Sequence, residues 1–324
     1  MAARKRKKKK RTSKTKMLLC LMVEIVVVLV LLVIIGWDYG VEDWLKEVTT
    51  PIVKELDVGG VNSSHVVLMS ANGGKVIGEI NGEEQIYPAS LTKIMTVIVA
   101  IEELDDLEEK IMLDADIFPE LYAGDATQAG FQAGEAVRAI DLLYGAILPS
   151  GAECCIGLAD AIAGSEDAFV ELMNKKAQKI GMENTHFCDT TGLHDPNHYS
   201  TAYDMAVLLK YAIRNDTFRE IIETPRHSTG VTNIHPDGIT YYSTMFKNLN
   251  DPTVTEGKIL GGKTGYTNEA GLCLASFAEI GGREYILVTA GAPGNTGEPL
   301  HVQDAVTIYN RLGEAAQALT DKNA

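Results

Sequence analysis

The chain has 324 residues, 46% hydrophobic, 23% charged and 6% aromatic, a globular composition that excludes a disordered, collagen-like or coiled-coil protein. Its net charge of -15 averages two unlike parts: residues 1–16 hold ten of the 29 Lys and Arg and no acid, leaving a body with 19 basic and 44 acidic residues. So acidic a body repels nucleic acid, and the basic run needs another explanation.

That explanation follows directly in the chain. Met17 to Gly36 is apolar except for Glu24 and Gly36, and 20 residues at about 1.5 Å each span about 30 Å of hydrocarbon. No small-residue cleavage site follows, and Trp37 and Tyr39 stand where interface aromatics belong. We therefore expect an uncleaved, single-pass signal anchor at 17–36 in the lipid bilayer, residues 1–16 as a cytoplasmic basic tail, and the rest of the chain outside. Residues 37–60, with Pro51 and Gly59-Gly60, read as a juxtamembrane linker, 61–319 as the folded domain and 320–324 as a tail.

The domain opens with strand-like runs at His65 to Ser70 and Lys75 to Ile80, joined by the turn sequence Ala71-Asn72-Gly73-Gly74. From Ser90 to about Arg214 apolar residues recur at three- and four-residue spacing, predicting helices at Lys93–Leu104, Ala139–Leu148, Glu153–Ala163, Glu166–Ile180 and Thr201–Ile213. Strands return at Gly257–Lys263, Gly271–Ala278 and Glu284–Ala290, and a helix over Val302–Leu319 closes the domain. Neither the hairpin nor the meander can hide its apolar face alone. The pattern therefore predicts an α+β fold: one five-stranded antiparallel sheet, the last helix on one face and an inserted helical lobe on the other, with a cleft between lobe and sheet.

Five cysteines (Cys20, Cys154, Cys155, Cys188 and Cys273) form neither a disulfide framework nor a zinc spacing, so they read as buried thiols. His194 and His198 are four apart, but Pro196 disfavours the helix that would bring them to one metal, and no metal or other cofactor is expected. Thr201 and Asp204 read as a capping box. Tyr241-Tyr242 reads as a half-buried pair that needs no function.

Three short motifs carry chemistry. In Ser90-Leu-Thr-Lys93 a three-residue spacing puts a hydroxyl and an amine on one helical face, as a nucleophile and its base require, although an isolated match is more often a capped helix with a solvated lysine. Lys263-Thr264-Gly265 ends a predicted strand and could offer a fixed cation, a hydroxyl donor and room for a ligand beside the backbone; alone it is also an edge lysine before a turn. Ser150, in Leu148-Pro149-Ser150-Gly151-Ala152-Glu153, could point into a cleft or cap the next helix with Glu153 as its capping-box partner.

In this order the motifs resemble the S-x-x-K, S-x-N and K-T-G set of penicillin-binding proteins and serine β-lactamases. The longer segments Tyr87–Thr96, Asp141–Gly151, His198–Ala206 and Gly262–Gly271 are similar to the D-alanyl-D-alanine carboxypeptidases, the low-molecular-mass penicillin-binding proteins, over about residues 60 to 315. That resemblance implies a serine-type carboxypeptidase acting on peptidoglycan stem peptides in cell-wall biosynthesis and inhibited by β-lactams. Ser90 matches the nucleophile, Lys93 its base and Ser150 a proton shuttle. Lys263, Thr264 and Gly265 match the substrate-binding strand, and the N–H groups of Ser90 and Tyr266 match the oxyanion hole. Two departures stand out: Ala152 replaces the usual Asn, and Gly291-Ala-Pro-Gly294 lacks the Arg that some relatives place near the substrate's carboxylate. Many relatives also carry a C-terminal β domain and anchor, a role the N-terminal span would take here. The alternative is a catalytically weak or inactive β-lactam or peptidoglycan sensor.

Overall fold

The computed structural model describes residues 53–124, 126–249 and 251–323. The expected tail and anchor, residues 1–16 and 17–36, lie outside them, and among the described residues no helix is long and apolar enough to cross a membrane.

Strands β1 (His65–Ser70) and β2 (Val76–Ile80) form the first hairpin, and β3 (Thr253–Val254), β4 (Gly257–Thr267), β5 (Gly271–Ile280) and β6 (Arg283–Ala292) follow near the end of the chain. They join in one antiparallel sheet in the order β2-β1-β6-β5-β4-β3. The sheet thus has six strands rather than five. The extra one is a two-residue edge pairing, Thr253 with Lys258 and Val254 with Gly257, too short to leave an alternating pattern in sequence. β4 also runs on to Thr267, so Lys263-Thr264-Gly265 lies inside the strand rather than at its end.

Alternation along the strands sorts the core into two layers. Val66, Leu68, Leu274, Ala278 and Leu287 face the terminal helix, where Val302, Ala305, Ile308 and Leu312 meet them. Val67, Met69, Cys273, Ala275, Phe277 and Val288 face the inserted helices. Those are α1 (Lys93–Glu103), α2 (Ala139–Ile147), α3 (Ala152–Ala163), α4 (Glu166–Ile180), α5 (Ala202–Ala212) and α6 (Asp216–Glu223), with shorter turns between them. Side-chain caps set several starts: Ser165 accepts from Ala168 N, Thr201 from Asp204 N and Asn215 from Phe218 N.

The terminal helix, α7 (Leu300–Asn323), continues through positions expected as a tail. On its inner face the Asp304 carboxylate accepts from Asn62 N, Ser63 N and Ser63 Oγ at 3.0, 2.8 and 2.6 Å, tying down the chain where it enters β1. Val53 and Val58, within the expected linker, are buried in the same layer.

Candidate active site

A cleft of about 370 Å³ opens between the helical lobe and β4, lined among others by Ser90, Ser150, Thr244, Thr264, Tyr266 and His301. Ser90 lies in a 3-10 turn, Ala89–Thr92, that leads into α1. Ala89 holds a left-handed φ of 48°, which costs a residue with a Cβ about 1 to 2 kcal/mol, so the surroundings must impose the turn. Two glycines lie against it. A Cβ on Gly192, itself at φ 82°, would meet Ala89 O at 1.8 Å, and one on Gly265 would meet Ser90 N at 3.0 Å.

Lys93, one residue past the turn and 3% exposed, donates from Nζ to Ser90 Oγ at 3.1 Å and to Thr191 O at 2.5 Å. Burial pushes its ammonium below the ordinary lysine value, with Cys155, Asp189 and Glu153 opposing. Lys263, 0% exposed, donates to Ser150 Oγ at 2.9 Å and to Thr264 O at 2.8 Å. Burial holds it well below the ordinary value, and the neighbouring Lys93 lowers it further. Thr264 Oγ1 shares a hydrogen bond with Thr244 Oγ1 at 2.7 Å, and Tyr266 OH donates to Asn268 Oδ1 at 3.0 Å. Two buried lysines thus each bond a serine hydroxyl that lines one cleft. Burial and mutual repulsion favour a neutral amine, which can take a proton from a serine hydroxyl.

Several expectations change here. Ser150 does not cap a helix: Gly151 is the N-cap residue of α3, and Ser150 sits at φ 71°, its hydroxyl turned to Lys263. Glu153 is not its capping-box partner. Its Oε1 takes the backbone N–H groups of Ala129, Gly130 and Phe131 at 2.7, 2.8 and 3.3 Å, and burial raises its pKa. Thr201 does cap Asp204 N, while the Asp204 carboxylate accepts from Asn184 N and Thr185 Oγ1 instead of closing a box. His194 packs edge-on to Tyr87 with ring centroids 4.7 Å apart, whereas His198 bonds Thr92 and Asp189. Among the described residues, no three His, Cys, Asp or Glu side chains gather as a metal site. Cys154, Cys155 and Cys273 are buried and Cys188 partly so. Of the tyrosine pair, Tyr241 is buried and Tyr242 is exposed.

Sequence reasoning missed three contributors. Thr191 acts through a backbone carbonyl, which leaves no signature in side-chain identity. Thr244 lies in a single helical turn capped by Ser243. His301 is 3% exposed, and its buried Nδ1 has no hydrogen-bond partner among the described residues; burial lowers its pKa to about 4, with Asp304 opposing. Its ring lines the cleft.

The sequence profile of the D-alanyl-D-alanine carboxypeptidase family matches residues 51–294. The chain belongs to that family. It is 34% identical over 228 residues to the D-alanyl-D-alanine carboxypeptidase DacF of Bacillus subtilis, covering 70% of this chain and 56% of that one. To DacD of Escherichia coli it is 31% identical over 246 residues, covering 73% and 60%. The chain therefore spans somewhat over half the length of these relatives. The crystal structure of a Streptomyces DD-transpeptidase superposes with a TM-score of 0.69 at 25% identity, covering 80% of this chain and 98% of that one.

Proposed function

We propose that the chain is a serine-type D-Ala-D-Ala carboxypeptidase that removes the terminal D-Ala from peptidoglycan stem pentapeptides and is acylated by β-lactams. One observation carries this reading: Ser90 and Ser150 line the same cleft, each holding a buried lysine, Lys93 at 3.1 Å and Lys263 at 2.9 Å. Family membership supports it. Neutral Lys93 takes the Ser90 hydroxyl proton as Oγ bonds to the carbonyl carbon of the penultimate D-Ala. The oxyanion forms between the N–H groups of Ser90 and Tyr266. The C–N bond to the terminal D-Ala breaks, and the proton held by Lys93 passes through Ser150 to the leaving amine. Water then hydrolyses the ester and frees Ser90. Lys263 and Thr264 hold the substrate carboxylate, and Gly265 leaves room for the peptide along β4.

In this reading residues 1–16 lie in the cytoplasm, 17–36 anchor the chain in the bacterial membrane, 37–60 link the anchor to the domain and 61–319 act on the outer side. The basic tail, apolar run and acidic body support that arrangement. Purified chain incubated with a peptide ending in D-Ala-D-Ala should release D-Ala, and Ser90→Ala should not. Penicillin capture with no peptide turnover would overturn the carboxypeptidase in favour of a sensor.

A further inference from the structure

Lys93 gives one N–H to a backbone carbonyl, and the peptide bearing that carbonyl is clamped from its other side. Asp189 Oδ1 accepts from Thr191 N at 2.6 Å, Thr191 Oγ1 at 2.9 Å and Gly192 N at 2.6 Å. Gly192 N and Thr191 O belong to one planar trans peptide, so their bonds point in opposite directions. Fixing the N–H on Asp189 therefore aims the C=O at Lys93.

The other oxygen, Asp189 Oδ2, lies 3.1 Å from Nδ1 of His198, which is 2% exposed. His198 Nε2 lies 2.8 Å from Thr92 Oγ1 in the nucleophile turn. Burial pushes the Asp189 carboxyl up, but His198 and the N–H groups of Gly192 and Thr191 outweigh it and hold the group at about 2. Asp189 is thus ionised at ordinary pH, and an ionised oxygen requires the proton on Nδ1. The Cys188 backbone N–H is directed at the same nitrogen, 3.2 Å away. Nε2 and the Thr92 hydroxyl share a hydrogen bond.

We propose that Asp189 and His198 are positioning residues that lock the turn bearing Ser90 to the peptide bearing Thr191 O, so that the Lys93 lone pair stays directed at Ser90 Oγ. This rests on the reading of Ser90 and Lys93 above. Glu166 and Thr96 hold the same turn only at Thr190, through Thr190 N and Oγ1 and through Thr190 O, one peptide before the carbonyl that Lys93 uses.

The test compares the full-length wild-type chain with His198→Ala, Asp189→Asn and Asp189→Ala. Three quantities are read: acylation by a fluorescent penicillin, the Lys93 titration midpoint by NMR of 13C-labelled lysine, and Tm. The groups that act electrostatically on Lys93 are Asp189, Glu153, Cys154, Cys155 and Lys263. His198→Ala leaves all of them in place, so a shift in the midpoint reports geometry. We expect His198→Ala to acylate about tenfold more slowly and the Lys93 midpoint to rise as water or the freed Asp189 oxygen reaches the amine. Asp189→Asn keeps the Oδ1 acceptor and should stay within about threefold of wild type, whereas Asp189→Ala should lose about tenfold or more.

Wild-type rate and midpoint in His198→Ala overturn the proposal. So does a rate loss that follows Tm while the midpoint stays fixed, because that is a purely structural effect. The midpoint is read without substrate, so it judges the clamp even if wild-type chain fails to acylate, a result that would overturn only the proposed activity.

Discussion

Gly265→Ala probes how closely β4 approaches the nucleophile turn. The backbone of Gly265 suits any residue, so the only penalty is contact. The new methyl would stand 3.0 Å from Ser90 N, 3.2 Å from Ala89 Cβ and 3.3 Å from Leu91 N, against an ordinary contact of 3.4 Å or more. All three atoms belong to one turn, so the turn must retreat as a unit, by about 0.4 Å at Ser90 N. Displacing a reacting group by about 1 Å costs on the order of 100-fold in rate, so about 0.4 Å costs about sixfold when scaled in the exponent. Losing the Ser90 N–H as an oxyanion donor raises the loss to about 100-fold. Overpacking adds about 1 to 3 kcal/mol of instability, a Tm lower by several degrees. Stopped-flow acylation by a fluorescent penicillin reads the rate, and calorimetry reads Tm. Acylation at the wild-type rate would show that β4 does not set the position of Ser90 N and refute the reasoning.

Two other perturbations address the lysine pair and the altered second motif. Lys263 sheds its proton in the folded chain well below the ordinary value of 10.5, so between the two midpoints the unfolded chain binds more protons and stability rises with pH. Lys263→Met removes that contribution and should flatten the plot of Tm against pH in the window ending near 10.5, with Lys93 supplying the remaining slope; a slope equal to wild type rules the argument out. Ala152→Asn adds an amide beside the site, and a new polar contact of about 1 to 3 kcal/mol in the transition state should speed acylation by about 5- to 150-fold. An unchanged rate in that variant would mean that the missing Asn is not limiting.

Much of this architecture was legible in the sequence, because hydrophobic periodicity reports which face of an element is buried. The hairpin, the meander, six helices and the two-layer core follow from it. What escaped has a common cause. Thr253–Val254 is too short to show a period, and its pairing is set by the neighbouring strand. The left-handed φ of Ser150 turns its hydroxyl to a lysine 113 positions away, and no local rule anticipates that partner. Glu153 has the right spacing for a capping box, yet three N–H groups from residues 129–131 outcompete the single cap donor. Thr191 reaches Lys93 only through its carbonyl, which every residue possesses. The Ser90–Lys93 pair was readable because three-residue spacing within one turn of helix fixes its geometry locally.

The order of strands in the sheet sets a timetable for the molecule. β1 sits between β2 and β6, with His65 opposite Ala290 and Ser70 opposite Tyr285, so the first of these strands waits for the last. At about 5 to 20 residues per second, translation takes roughly 10 to 40 s to travel from one partner to the other. During that interval β1 and β2 are a lone hairpin, only marginally stable in water. β4, which must press Gly265 against the Ser90 turn, also lacks its sheet until β5 and β6 arrive. The cleft therefore cannot assemble on a partly made chain. The topology that builds the cleft thus also keeps the nascent chain loose until β6 has been made.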